Sequence, residues 1–418
     1  MFARKYSMLN LKSSLPLVAL LACATSTWLA RAADWPQFRG AASNSVTTAQ
    51  QPPAEWSEAD GKNVAWKVKL PGRGPASPIV VGDRVIVTAS SGVNQDRLHV
   101  LCFDSKDGKQ LWERQFWATG RTLSHPSSAN AAPTPASDGN LIFAFYSSND
   151  LVCLDLEGNL KWYRGLAHDY PAAGNDVGMS SSPVLAGDTL IVQVECQGDS
   201  FATAIDKTTG EPRWRISRPK DASWSSPVLL PGTKPADTLV LLQSPKHLTA
   251  HRVDTGEQAW AYEVACDAIS SPAVVDGTVY VASKGVTALK PGTEAEPEVV
   301  WNSQNLQPGA ASAIVNDGKL FIINRAGVLN CANVADGKVL WRTRLEGEFW
   351  GTPALAGNRL YTVSQKGKGQ VVEIAADGAK GDVIGTGQLE GEVQSSPAVT
   401  DGALFIRSDA HLWKIAAP

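Results

Sequence analysis

The sequence predicts an all-β protein, an eight-bladed β-propeller of four-stranded antiparallel blades whose ring is closed by an N-terminal strand. Three observations carry this reading. A Ser/Thr-Pro pair recurs at Ser77, Thr134, Ser182, Ser226, Ser271, Thr352 and Ser396, with Ser312-Ala313 filling the one gap, so eight openings follow one another at intervals of 40 to 57 residues. A tryptophan closes each of the first six units, at Trp112, Trp162, Trp214, Trp260, Trp301 and Trp341. The last unit stops after its third apolar run, His411–Ile415, while a spare run, Val64–Val68 with Trp66 at its centre, precedes the first unit. One four-stranded meander leaves both edges open and cannot bury both faces. Copies must therefore stack, and a ring sealed by strands from both ends leaves no open end to the array.

Residues 1–32 read as a secretory signal peptide. Arg4, Lys5 and Lys12 precede the apolar stretch 15–24, and Ala30-Arg31-Ala32 is a small-x-small cleavage site. Leu20-Leu21-Ala22-Cys23 also resembles a lipobox, which would tether the chain through Cys23; the downstream cleavage site favours release. A periplasmic or extracellular location is expected in either case. Removing this segment leaves 34 basic against 41 acidic side chains, a net charge of about −7. Such a balance argues against nucleic acid as a partner, because phosphate binding needs a positive field. Beyond the leader no apolar run approaches a membrane span.

Residues 33–63 show no strand period, and Trp35 and Phe38 are expected to plug the ring as this segment drapes across it. From 64 to 418 the chain is a single propeller domain. Unit three shows the pattern most fully: Val184-Leu185 turns at Gly187-Asp188, Leu190–Val192 alternates into polar residues, and Phe201–Ile205 leads through Asp206-Lys207-Thr208-Thr209-Gly210 to Trp214.

The segment Ala204-x-Asp206-x-x-Thr209-Gly210-x-x-x-Trp214 resembles the tryptophan-docking motif of the PQQ-like (pyrroloquinoline-quinone repeat) propellers. Units one and six match it through Cys102, Asp104, Asp107, Gly108 and Trp112, and through Cys331, Asn333, Asp336, Gly337 and Trp341. The resemblance implies a structural docking role for Trp66, Trp112, Trp162, Trp214, Trp260, Trp301 and Trp341. Unit four has Arg252 in place of the Asp, and unit seven keeps only fragments. The opening Trp35-Pro36-Gln37-Phe38-Arg39-Gly40 is similar to the start of many secreted PQQ-repeat proteins. The family includes quinoprotein dehydrogenases and also quinone-free propellers, among them a periplasmic scaffold of outer-membrane β-barrel assembly.

Without Cys23 five cysteines remain, an odd number. Cys102, Cys153 and Cys331 fall in the small-residue slot before the docking tryptophan and read as small hydrophobes. Cys196 and Cys266 lie in loops of different units, and all five are expected to be free thiols. No Cys-x-x-Cys-His, adjacent cysteine pair, histidine cluster, G-x-S-x-G or phosphate loop is present, so no metal site and no catalytic residue is predicted.

The blade-to-blade connections and second-to-third-strand loops emerge on one face, and the longest of them are in units one to three. Arg121, His125, His168, Asp169, Asn175, Asp176, Asp199, Trp224 and Trp350 form the candidate binding rim there. The favoured function is a non-catalytic binding or scaffold module, a monomer that takes a protein or an extended polymer on this face. The alternative is a PQQ-dependent alcohol dehydrogenase using PQQ and Ca²⁺, with Asn175, Asp176, Glu195 and Asp199 as the available oxygen donors. A glycan- or polymer-binding propeller with Trp224 and Trp350 as stacking platforms is a further alternative. Those two tryptophans, three units apart, are expected to face each other across the channel mouth. The cations Arg114, Arg121 and Arg164 are expected to gather on the loops of units one to three.

Overall fold

The structure is a computed structural model that describes Met1 and residues 34–174, 176–292 and 296–418. The expected signal peptide and the Cys23 lipobox therefore lie outside the described residues. Eight antiparallel sheets follow one another along the chain, each with an inner strand of two or three residues and three longer strands outside it. Blade three is representative: Val184–Ala186, Thr189–Val194, Phe201–Asp206 and Pro212–Ser217 pair in sequence order. The second and third strands are buried, rich in Val, Ile, Leu and Ala, and their side chains fill the space between neighbouring blades. Blade eight takes Ala398–Thr400, Ala403–Arg407 and His411–Ile415 from one part of the chain and its outer strand, Val64–Lys69, from another. That strand is antiparallel to His411–Ile415, as the closure reading expects.

A single register feature repeats through the blades. In blade three Ala204 faces Trp214 and the ladder then slips by one residue before Ile205 meets Pro212. Cys102, Cys153 and Cys331 stand in the same place opposite Trp112, Trp162 and Trp341. The tryptophan then reaches the next blade. Trp112 Nε1 donates to Leu156 O at 2.9 Å, Trp162 Nε1 to Lys207 O at 2.9 Å, and Trp214 Nε1 to Val253 O at 2.8 Å. The indole lies over the turn glycine of that blade. A Cβ on Gly158, Gly210 or Gly256 would stand 2.7–2.8 Å from the arriving ring, and all three have φ between 74° and 80°. Glycine is required there twice over, for the left-handed backbone and for the close approach.

The segment before blade one is not wholly without strand structure, contrary to its sequence pattern. Val46–Thr47 pairs in parallel with the inner strand of blade seven, Ala354–Ala356, as a fifth strand. Upstream, Trp35 exchanges two backbone hydrogen bonds with Val80 of blade one, and Pro36 O accepts from Ser137 N of blade two. Buried Arg39 donates from Nη1 to Pro272 O at 2.8 Å and from Nη2 to Ala313 O at 2.9 Å, on blades five and six. Residues 35–47 thus cross the channel and plug it. Among the described residues no helix is long and apolar enough to cross a membrane.

Candidate functional site: a cup at the channel mouth

The eight Ser/Thr residues that open the units form a closed hydrogen-bonded ring. Each backbone N–H donates to the hydroxyl oxygen of the next blade: Ser77 to Thr134 (2.9 Å), Thr134 to Ser182 (3.0 Å), Ser182 to Ser226 (2.9 Å) and Ser226 to Ser271 (2.9 Å). The circuit continues from Ser271 to Ser312 (2.9 Å), Ser312 to Thr352 (3.0 Å), Thr352 to Ser396 (2.9 Å) and Ser396 back to Ser77 (2.9 Å). Proline at the next position presets the extended backbone this arrangement needs, because it disfavours the helical region for the residue before it. Ser312, followed by Ala313, shows that the serine is the indispensable half of the pair.

This ring is the wall of a cavity of about 390 Å³. Phe38, held by the Arg39 anchors beneath it, forms the floor; Trp224, Trp350, His125 and Gln394 stand at the rim, and Val177–Ser180 fills part of one side. Trp224 is fixed by its Nε1, which donates to Gly178 O at 2.9 Å, whereas Trp350 is 42% exposed. Among the described residues no Asp, Glu, Lys or Arg lines the cup, and His125 is the one histidine in it.

Of the predicted rim, His125, Trp224 and Trp350 are brought together here, and the others are not. Trp224 and Trp350, expected at the channel mouth, both line this one cavity. Arg121 and Asp176 form an exposed ion pair at 2.7 Å. His168 and Asp169 lie on the one-turn helix Leu166–Asp169, where Asp169 accepts from Arg164 Nε at 2.8 Å. Asp199 accepts from Arg215 Nη2 at 2.5 Å. Asn175 lies outside the described residues. The expected cation cluster also dissolves. Arg114 and Arg164 sit on outer strands and donate to Gly158 O (2.6 Å) and Gly210 O (3.0 Å) of the next blade, so they tie blades together.

Glu195 is fully buried, and its Oε1 accepts from Arg218 Nε at 2.7 Å. Burial outweighs the attraction of Arg218 and pushes the Glu195 carboxyl up to about 7. Arg218 also donates to Thr249 Oγ1 at 2.6 Å and to Leu242 O at 3.1 Å, which makes this cluster a joint between blades three and four. All five described cysteines are free. Burial raises the thiols of Cys102, Cys153, Cys266 and Cys331 to about 12, which keeps them protonated and unreactive. Among the described residues no group of three or more His, Cys, Asp or Glu is placed to hold a metal ion.

A family model described as outer membrane protein assembly factor BamB matches residues 42–198, 119–294 and 286–383. The chain belongs to that family. It is 25% identical over 311 residues to an outer membrane protein assembly factor BamB of Burkholderia pseudomallei, covering 71% of this chain and 72% of that protein. It is also 22% identical over 401 residues to a polyvinylalcohol dehydrogenase of a Pseudomonas species, covering 85% of this chain but 55% of the enzyme, so it spans about half of that relative. Among solved structures, BamB of Moraxella catarrhalis matches with a TM-score of 0.63 at 16% identity, over 84% of this chain and 96% of that one. A europium-containing methanol dehydrogenase matches with a TM-score of 0.72 at 12% identity, over 92% and 98%. These last two likenesses establish the propeller fold.

The resemblance of the repeat to those of PQQ-dependent dehydrogenases makes PQQ the cofactor to test against the cup. PQQ carries three carboxylates and is partnered by a cation of high charge. The cup offers the aromatic surfaces of Phe38, Trp224 and Trp350, but no lining Arg or Lys for the carboxylates and no lining carboxylate for a Ca²⁺. The carboxylates named as possible donors are each tied to an arginine instead: Asp176 to Arg121, Asp199 to Arg215 and Glu195 to Arg218. The residues present do not fit the charged group.

Proposed function

We propose that this protein is a secreted or periplasmic binding module without catalysis of its own, and that it presents the long-loop face around the cup to a protein partner. The observation that carries this reading is the uncharged lining of the one place where a propeller of this kind brings side chains from all eight blades together. A dehydrogenase would need a base and a cation site there. The membership in a family described after an assembly factor supports the same reading. Outside the cup, the exposed Arg121–Asp176 pair and the helix bearing His168 and Asp169 offer the partner a mixed-charge surface. The protein is incubated with PQQ and Ca²⁺, and reduction of an electron-accepting dye is followed with primary and secondary alcohols. No alcohol-dependent reduction above the protein-free rate is expected. Turnover that depends on both PQQ and Ca²⁺ would replace this reading with the dehydrogenase.

A further inference from the structure

We propose that the cup itself, inside the rim that a protein partner would meet, binds an uncharged saccharide. This goes beyond the reading above, since it concerns a small ligand below the loop surface. Charge, hydrogen bonding and shape each contribute to the argument.

Among the described residues the lining contains no Asp, Glu, Lys or Arg. The nearest buried cation of the plug, Arg39, is turned to the carbonyls of Pro272 and Ala313 and is not part of the wall. A charged ligand entering the cup would lose its hydration without meeting a counter-charge, a cost that an uncharged ligand avoids.

The ring hydroxyls set the second requirement. Each accepts one N–H from the neighbouring blade, and among the described residues none of the eight donates to a protein acceptor. Eight O–H donors, each with a spare lone pair, therefore surround the cavity. A purely apolar ligand would strand them, whereas a ring-shaped ligand with hydroxyls around its edge can bond to several at once. Because hydroxyl protons rotate, the wall adapts to more than one hydroxyl pattern.

The third requirement is apolar and flat. Phe38 lies below, Trp224 is locked through Gly178, and Trp350 stands half open at the rim. Aromatic faces of this kind take the C–H face of a sugar ring, while the sugar's edge is left for hydroxyl partners. The cavity of about 390 Å³ is within the range of small-molecule sites and is suited to one or two sugar residues.

Tryptophan fluorescence and calorimetry with maltose, cellobiose, maltoheptaose and cellobiouronic acid test this, using the intact protein, Trp350→Ala and Ser226→Ala. At least one neutral saccharide is expected to bind with a Kd of about 1 mM or tighter, and the uronic acid about tenfold more weakly than cellobiose. Trp350→Ala should weaken the neutral ligand at least about tenfold with an unchanged circular dichroism spectrum and melting temperature. Ser226→Ala should weaken it severalfold. A free-sugar site would bind maltose and maltoheptaose alike, and a site for a glycan end would favour the longer chain. Absence of binding by all three neutral saccharides, preference for the acid, or indifference to Trp350→Ala would each overturn the proposal. The outcomes separate from those of the function above: saccharide failure without quinone turnover removes this ligand class alone, and quinone turnover removes the non-catalytic reading.

Discussion

Blades three and seven have the same strand plan but are sealed in different ways. In blade three the outer strand carries its own seal: Trp214, opposite Ala204, lies over Gly256 of blade four and donates to Val253 O. In blade seven the same register position, opposite Val371, is Gly385. A Cβ there would stand 2.2 Å from Ala54 O, because residues 54–56 run directly against this strand. The indole of Trp56, buried to 3% exposure, covers Gly369 and Gly387 of the same blade. The cause lies in blade eight, whose third and fourth strands come from different parts of the chain. No glycine turn joins them, so a tryptophan on blade seven would have nothing to dock against. The segment that leads into the closing strand fills the space instead. The missing tryptophan of unit seven is thus a consequence of closure rather than decay of the repeat.

Removing the closing strand has the largest expected effect. Deletion of residues 60–69 strips the outer strand from blade eight and exposes His411–Ile415 as a new edge, and aggregated or unfolded protein is expected by size-exclusion chromatography and circular dichroism. A folded monomer from this deletion would be incompatible with the closure. Next come the two seals. Trp214→Ala and Trp56→Ala should each cost about 3–5 kcal/mol in denaturant unfolding, as buried aromatic truncations do. A cost near zero at Trp56 would mean that blade seven needs no seal and that the parallel with blade three is false. Within the ring, Ser226→Ala removes the acceptor of the Ser182 N–H and should cost about 1–3 kcal/mol, the usual penalty for a stranded buried donor.

A smaller, pH-dependent effect sharpens the contrast, because only the joint between blades three and four contains a buried carboxylate–arginine pair among the described ion pairs. The folded-state pKa of Glu195, about 7, is above its ordinary value of 4.5. The folded protein therefore holds the extra proton in that window, and stability is lost as pH rises from about 4.5 to 7. His251, whose Nε2 lies 2.9 Å from the Thr249 Oγ1 that Arg218 also reaches, is depressed by burial from 6.5 to about 4, so its contribution is lost in the opposite sense, as pH falls through that interval. The two slopes oppose one another in the native protein. Glu195→Gln should leave the histidine slope alone, so that the melting temperature of the variant climbs from pH 4 to 6.5 more steeply than that of the parent. Parallel pH profiles would show that Glu195 titrates alike in the folded and unfolded protein, against a raised folded-state pKa.

Periodicity revealed the propeller, its closure and the Ser/Thr-Pro openings, because these depend on local pattern and on counting strands. It did not reveal what the openings build. That each serine accepts from the preceding blade is a relation between residues some 40 to 57 positions apart, and only the ring's geometry brings them together. Trp224 and Trp350 could be assigned to the loop face from their place before each proline, but not to one cavity shared with Phe38. The arginines misled for a related reason. An arginine two positions after a docking tryptophan reads as a surface cation, yet at Arg114 and Arg164 it reaches the turn glycine of the next blade. The N-terminal segment, with no period to betray it, supplies the floor through Phe38 and the seal through Trp56.

Among the described residues the cup carries none of the charges that would hold a quinone cofactor. Equilibrium titration of the purified protein with PQQ in the presence of Ca²⁺, followed by calorimetry and by the quinone's absorbance, tests it most directly. No saturable binding at one equivalent is expected up to about 100 μM PQQ, so any binding free energy is weaker than about −5.5 kcal/mol. Micromolar or tighter binding that needs Ca²⁺, and that is abolished by Asp176→Ala or Glu195→Ala, would contradict it.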